Sequence, residues 1–211
     1  MTAICMFNAL WFQPDGGAER YGEYGAAVLP ILADVGAELL FPFMPVGQSL
    51  EGGLDPDLVG FVRYPSMEAF DAMWRSDAYQ SIAHLREEAL TKAILTRCTI
   101  DPADAPTMST LPPGVAVLSA LWFREGGEAS YDRYLAAAQP ILEKRGGRVL
   151  SPRFRPERSL ADEFLPDLMF LGHYPSTEAL FEIVQSAEYQ PVSEIRRDAL
   201  LRSATTVLVI G

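Results

Sequence analysis

Apolar and polar residues change period several times along the first hundred residues, and each change marks an element. Residues 3–12 alternate and are rich in apolar and aromatic types, the pattern of a strand. Pro14 and Gly16-Gly17 mark a turn. Tyr21, Tyr24, Val28, Leu32 and Val35 then recur at helical spacing, which predicts a helix over 18–35 with Pro30 inside it and Gly36 ending it. A second strand is expected over 38–46, irregular because of Pro42 and Pro45, with a loop over 47–56. Leu58–Tyr64 reads as a third strand stopped by Pro65. Ser66 is placed to cap a helix that carries Phe70, Met73 and Trp74, with Glu68 in its first turn. A break at Ser76-Asp77 precedes a second helical piece with Ile82, Leu85 and Ala89 inward, and 94–100 makes the last strand.

The pattern returns 110 positions later. Tyr64-Pro65-Ser66 with Glu68-Ala69 becomes Tyr174-Pro175-Ser176 with Glu178-Ala179, and Ser76, Tyr79-Gln80, Arg86 and Ala89-Leu90 become Ser186, Tyr189-Gln190, Arg196 and Ala199-Leu200. Tyr21/Tyr131, Tyr24/Tyr134, Pro30/Pro140, Gly36/Gly146 and Ser49-Leu50/Ser159-Leu160 keep the same register, while the first strands (Asn8 to Phe12, Ser119 to Phe123) correspond at 111. Two copies, each too long for a solenoid unit, describe a duplicated domain. Residues 1–100 form the first copy, 101–114 a Pro-rich, semi-stiff linker, and 115–211 the second copy. The order strand, helix, strand, strand, helix, strand is the ferredoxin-like arrangement, an α+β class with an antiparallel sheet and helices on one face. The third strands are apolar on both parities, so neither sheet face is left to water. The two sheets are therefore expected to pack on each other as an intramolecular pseudo-dimer, with the chain a monomer of this kind or a homodimer.

The Tyr-x-x-Tyr helix, Pro-Ile-Leu, the Gly after the helix, and Tyr-Pro-Ser-x-Glu-Ala followed by Ser-x-x-Tyr and Arg-x-x-Ala resemble the DUF1330 family of the dimeric α+β barrel superfamily. The resemblance covers nearly all of each copy and departs from the single-copy pattern by fusing two. It implies a barrel of two ferredoxin-like repeats. Relatives of that fold imply a range of functions: cofactor-free monooxygenases, lactone isomerases, dehalogenases and haem proteins.

Composition narrows the partners. With 17 Lys+Arg against 28 Asp+Glu, the net charge of −11 lacks the basic footprint that nucleic acid or an anionic membrane requires. No apolar run approaches the roughly 20 residues that span a bilayer. The first residues lack a basic n-region, and Cys5 and Cys98 are the only cysteines, so a reducing, cytoplasmic setting is expected. Their counterparts, Ala116 and Leu208, make them packing thiols.

Nucleotide, zinc-protease and nucleophile-elbow motifs are absent from the sequence, and no metal or dissociable cofactor is implied. Gly16-Gly17 and Gly126-Gly127 read as turns into helices. His84 lies among charges on a helix, where a solvated face is the bland reading and a haem ligand the sharp one. His173 replaces Arg63 at the end of the third strand, on the parity of Met169 and Leu171, and is the candidate general acid or base. Arg63 holds the matching position among Val59 and Phe61. Asn8 and Ser119 are polar positions on otherwise apolar strand faces and need a partner, either a ligand or buried water. Trp11 and Trp122, with Tyr21 and Tyr131, are placed to line an apolar site or to pack the core. Arg86 and Arg196 read first as structural partners of Glu68 and Glu178 or another carboxylate, and second as holders of a ligand carboxylate. Arg153, Arg155 and Arg158 stand where the first copy has Phe43, Pro45 and Gln48. The expected function is that of a small-molecule enzyme acting on an apolar or aromatic substrate by cofactor-independent proton transfer or oxygenation. Substrate would lie between sheet and helices of the second copy, with His173 moving the proton. A non-catalytic ligand-binding or structural pseudo-dimer is the alternative.

Overall fold

A computed structural model describes residues 2–41, 43–100 and 112–210, so the expected linker lies outside the described residues as far as 111, as does Pro42. The first copy contains β1 (Ile4–Phe12), α1 (Gly17–Asp34), β2 (Glu38–Leu39), β3 (Met44–Glu51), β4 (Leu58–Tyr64), α2 (Met67–Arg75), α3 (Asp77–Ala89) and β5 (Leu90–Ile100). The second contains β6 (Val115–Phe123), α4 (Gly127–Glu143), β7 (Arg148–Val149), β8 (Phe154–Ala161), β9 (Leu168–Tyr174), α5 (Thr177–Gln185), α6 (Gln190–Ala199) and β10 (Leu200–Val209). This is an α+β fold of two ferredoxin-like repeats.

The chain forms two compact units, and each takes a segment from the other copy. Unit 1 gathers the chain up to Met44, the stretch from Pro56 to the end of β5, and Pro156–Leu165. Unit 2 gathers Pro45–Asp55, β6 through Arg155, and Pro166 to the end of β10. In unit 1 the strands run β2-β4-β1-β5-β8, and in unit 2 β7-β9-β6-β10-β3. The central pairs β1–β4, β1–β5, β6–β9 and β6–β10 are antiparallel.

Here the local pattern misleads at one place. The strand expected over 38–46 is a two-residue piece, and most of β3 falls in the stretch that reads as a loop. Pro45 and Gly47 carry turn signals, but β10 of unit 2 supplies the ladder. Two register shifts, after Thr205 and after Val207, absorb the irregularity as bulges. Matching hydrogen bonds fix the ends of both exchanged segments: Thr206 Oγ1 donates to Leu54 O at 2.8 Å, and Thr96 Oγ1 to Phe164 O at 2.9 Å.

One face of each sheet packs on its helices. In unit 1, Met6, Val62 and Tyr64 meet Tyr24, Val28, Phe70 and Tyr79; in unit 2, Leu121, Leu168 and Phe170 meet Tyr131, Tyr134, Ile183 and Tyr189. The other face is buried as well, with Phe7 and Phe61 fully inside and their rings 5.2 Å apart. Cys5 and Cys98 stand opposite each other on β1 and β5 as buried free thiols, and burial pushes both thiols up.

The glycine pairs start the first helices for a steric reason. Gly16 and Gly126 have φ of +76° and +69°, and a Cβ on Gly127 would lie 2.1 Å from Ala199 O. The helix start approaches the end of α6 so closely that a side chain has no room. Ser66 and Ser176 cap α2 and α5 by accepting from Ala69 N and Ala179 N, as the Ser-x-Glu pattern predicts.

Candidate functional site

Unit 1 contains a cavity of about 480 Å³ between its helices and the helix-facing side of its sheet. Asn8 of β1 and Val62 and Tyr64 of β4 form its floor; Tyr21, Tyr24, Gly25 and Val28 of α1 form one wall. Met73 and Trp74 of α2 and Tyr79 and Arg86 of α3 form the other. Aromatic contacts hold the lining: Tyr21 and Tyr24 rings are 5.4 Å apart, and Trp74 and Tyr79 rings 5.0 Å. The wall has a gap at Gly25, where an added Cβ would meet nothing within 4 Å. In the second copy this position is Leu135.

The cavity is apolar but for a few groups. Asn8 is buried, and its Nδ2 donates to Met6 O at 3.2 Å. Burial pushes the Tyr21 hydroxyl up to about 12, against the pull of the Arg86 charge. Burial likewise pushes Tyr24 and Tyr64 well above the ordinary tyrosine value, with Tyr79 nearby adding to it. These hydroxyls stay protonated at neutral pH and are hydrogen-bond donors. Arg86 is the one cation of the lining, and among the described residues it has no ion-pair partner.

The corresponding cleft of unit 2 measures about 380 Å³. Tyr131, Tyr134, Tyr174 and Tyr189 line it, with the Tyr134 and Tyr189 hydroxyls 2.7 Å apart. Its polar end is closed internally. Arg196 Nη2 donates to Glu51 Oε2 at 2.8 Å, and Thr205 Oγ1 lies 3.4 Å from the same oxygen. Glu51 reaches this cleft because β3, a segment of the first copy, belongs to unit 2. Burial opposes the Arg196 charge, but the Glu51 carboxylate outweighs it and holds the guanidinium ionised.

The residues singled out from the sequence separate into two sets. Asn8 and Tyr21 line the cleft of unit 1, and Ser119 and Tyr131 that of unit 2. Arg86 and Arg196 line them as well, whereas Trp11, Trp122, Arg63, His173 and His84 do not. Trp11 and Trp122 lie on the other strand parity under cations, with Lys92 Nζ 4.7 Å from one ring centre and Arg202 Cζ 4.3 Å from the other. Arg63 is ion-paired with Glu38. His173 is buried on the parity of Met169 and Leu171, opposite to the cleft-lining Phe170 and Gly172. Its Nε2 is 3.1 Å from Pro113 O, and its Nδ1 has no hydrogen-bond partner among the described residues. His84 is exposed on α3.

Arg196 pairs with a carboxylate, but with Glu51; Glu178 instead bonds at the start of α5 with Ser176. Gly25 and Glu51 also line the clefts, without a motif of their own in the sequence. Their signal is present in the repeat, where Glu51 corresponds to Ala161 and Gly25 to Leu135 at the common shift. Arg153 and Arg155 are paired with Asp132 and Glu128 of α4. No group of three metal-ligating side chains occurs among the described residues, and none of their helices is long and apolar enough to cross a membrane.

The family model described as Domain of unknown function (DUF1330) matches residues 17–96 and again 126–211. The chain belongs to this family. One DUF1330 match falls within each sequence copy. A Rhodopseudomonas palustris protein of unknown function is 26% identical, over 53% of this chain and 85% of its own, with a TM-score of 0.42. A mutant chlorite dismutase from Candidatus Nitrospira defluvii, in complex with cyanide, is 11% identical over 99% of this chain and 91% of its own, with a TM-score of 0.61. An anthrone oxidase-like protein is 14% identical over 99% of this chain and 91% of its own, with a TM-score of 0.54. These full-length likenesses show that the DUF1330 chain has the dimeric α+β barrel fold. No curated protein matches it.

Proposed function

We propose that the chain is a small-molecule protein of the α+β barrel type whose working site is the cleft of unit 1, where it takes an apolar or aromatic ligand. The observation that carries this reading is the cavity of about 480 Å³, walled by aromatic and aliphatic side chains and opened by the absence of a side chain at Gly25. Unit 2 has Leu135 at that position and a smaller cleft. The cleft of unit 1 contains neither a carboxylate nor an imidazole, so binding, rather than proton abstraction by a side chain, is its best-supported task.

Catalysis is the second reading, and one feature favours it. Tyr24 and Tyr64 present protonated hydroxyls in an apolar cavity, where a donor stabilises negative charge developing on a substrate oxygen. Proton transfer or oxygenation without a dissociable cofactor would use them to hold an enolate or phenolate oxygen.

The test uses neutral 2-naphthol as ligand, with Trp74 fluorescence as readout in a Trp11→Phe, Trp122→Phe background. Saturable quenching is expected, and Gly25→Leu should abolish it while raising helix stability by up to about 1 kcal/mol. Binding unchanged in Gly25→Leu would place the ligand elsewhere. In a parallel arm, 2-acetonaphthone in D2O is followed by mass spectrometry. Deuterium uptake that exceeds the buffer rate and is lost in Tyr24→Phe supports the catalytic reading; uptake at the buffer rate removes it.

A further inference from the structure

Resting on the assignment of the unit 1 cleft as the working site, we infer that its ligand is an aromatic or apolar carboxylate, held through its carboxylate group by Arg86. The two halves of the repeat keep one arginine at the same position and surround it differently. In unit 2, Arg196 has an internal partner, the Glu51 carboxylate, at 2.8 Å. Thr205 adds its hydroxyl to the same group. In unit 1 the arginine remains as Arg86, but the position of Glu51 is taken by Ala161 and that of Thr205 by Leu95. Both polar partners have been exchanged for apolar groups, and the arginine has been kept.

The placement of Ala161 does not rest on numbering alone. Its segment, Pro156–Leu165, belongs to unit 1 as Pro45–Asp55 belongs to unit 2. Three residues beyond Ala161, Phe164 O accepts from Thr96; three residues beyond Glu51, Leu54 O accepts from Thr206. Between them, Asp162 and Gly52 share a left-handed backbone, with φ of +69° and +76°. The two segments therefore enter their units in the same register.

The electrostatics follow. Arg86 lines the same cleft as Tyr21, Tyr24 and Tyr64. A neutral ligand filling that cleft would strip water from an uncompensated guanidinium, which is costly. A ligand that brings its own carboxylate restores the pair that unit 2 makes internally, and Arg suits a carboxylate through two parallel N–H···O bonds. Glu51 thus shows, within the same chain, the position of the missing group: a carboxylate at the arginine, with the rest of the ligand running along the tyrosines. Unit 2 is occupied by its own side chain, and unit 1 is open to a ligand of the same chemistry.

The experiment compares 2-naphthoate with 2-naphthol, two probes with one ring system. Wild type should prefer the carboxylate by roughly tenfold to a hundredfold, the size of a charge-assisted hydrogen bond. Arg86→Met should remove the preference while keeping naphthol binding. Ala161→Glu, which installs the unit 2 carboxylate in unit 1, should do the same without touching the arginine. Glu51→Ala combined with Leu135→Gly, which removes both the internal carboxylate and the side chain at the Gly25 position, should add a second naphthoate site, raising the stoichiometry from one to two per chain. Naphthol binding with no naphthoate preference in wild type, or a preference that survives Ala161→Glu, overturns the carboxylate assignment and leaves the cleft assignment standing. Absence of binding by either probe overturns the cleft assignment itself, and the carboxylate assignment with it.

Discussion

At the scale of single residues, Glu51 sets the electrostatics of unit 2. Burial by itself would raise its carboxyl, but hydrogen bonds from Arg196 and Ser203, together with the Arg196 charge, outweigh burial and hold it below the ordinary 4.5. The folded protein therefore takes up this proton less readily than the unfolded chain. Stability from the pair is complete above the ordinary carboxylate value and is lost as pH falls through the lower folded value. With Glu51 nearly half exposed, the effect is of order 1 kcal/mol after solvent screening. Urea unfolding of wild type and Glu51→Gln between about pH 5 and pH 3 checks this. The stability difference should shrink as the pH falls, and a difference constant across that range would show that the pair does not titrate with folding.

At the scale of elements, β3 and β8 decide what each unit contains. Both are poor strands by local criteria, with Pro45 and Gly47 in one and Pro156 in the other. Proline cannot donate to a ladder, so neither segment is a good strand by its own residues, and each depends on the ladder its unit supplies, β10 for β3 and β5 for β8. What fixes their far ends is a buried threonine in each unit, Thr206 for Leu54 and Thr96 for Phe164. Thr206→Val keeps the shape and strands a buried carbonyl, so it should cost about 1–3 kcal/mol. The expected signature is a lower urea midpoint with an unchanged slope; a midpoint equal to wild type would mean that the hydroxyl does not anchor the strand.

At the scale of the whole molecule, neither sequence copy contains all the strands of one unit. Residues 1–100 lack Pro156–Leu165, and residues 115–211 lack Pro45–Asp55. Either copy alone exposes the edge that the exchanged segment covers. We expect each fragment by itself to show no cooperative unfolding as a monomer, and the two mixed fragments to recover it. Circular dichroism with size-exclusion chromatography checks both, and a cooperative monomeric 1–100 fragment would contradict the expectation. The local pattern determined most of the elements: Leu58–Tyr64 is the strand it predicts, and Ser66 and Ser176 cap their helices as expected. Their signals lie within a few residues of one another, in side-chain alternation, helical spacing and cap chemistry. The repeat also made the fold class and the family legible, because its paired positions carry the structural requirements twice. The candidate site was legible in part. Asn8, Ser119, Tyr21 and Tyr131 line the clefts, whereas Trp11, Trp122, Arg63 and His173 do not. Side-chain alternation along a strand separates two faces without saying which one meets the helices. Only the tertiary structure brought Glu51 to Arg196 across 145 positions of chain. Pairing of a strand from one copy with the sheet of the other is a long-range choice, set by the partner's open edge rather than by the strand's own residues.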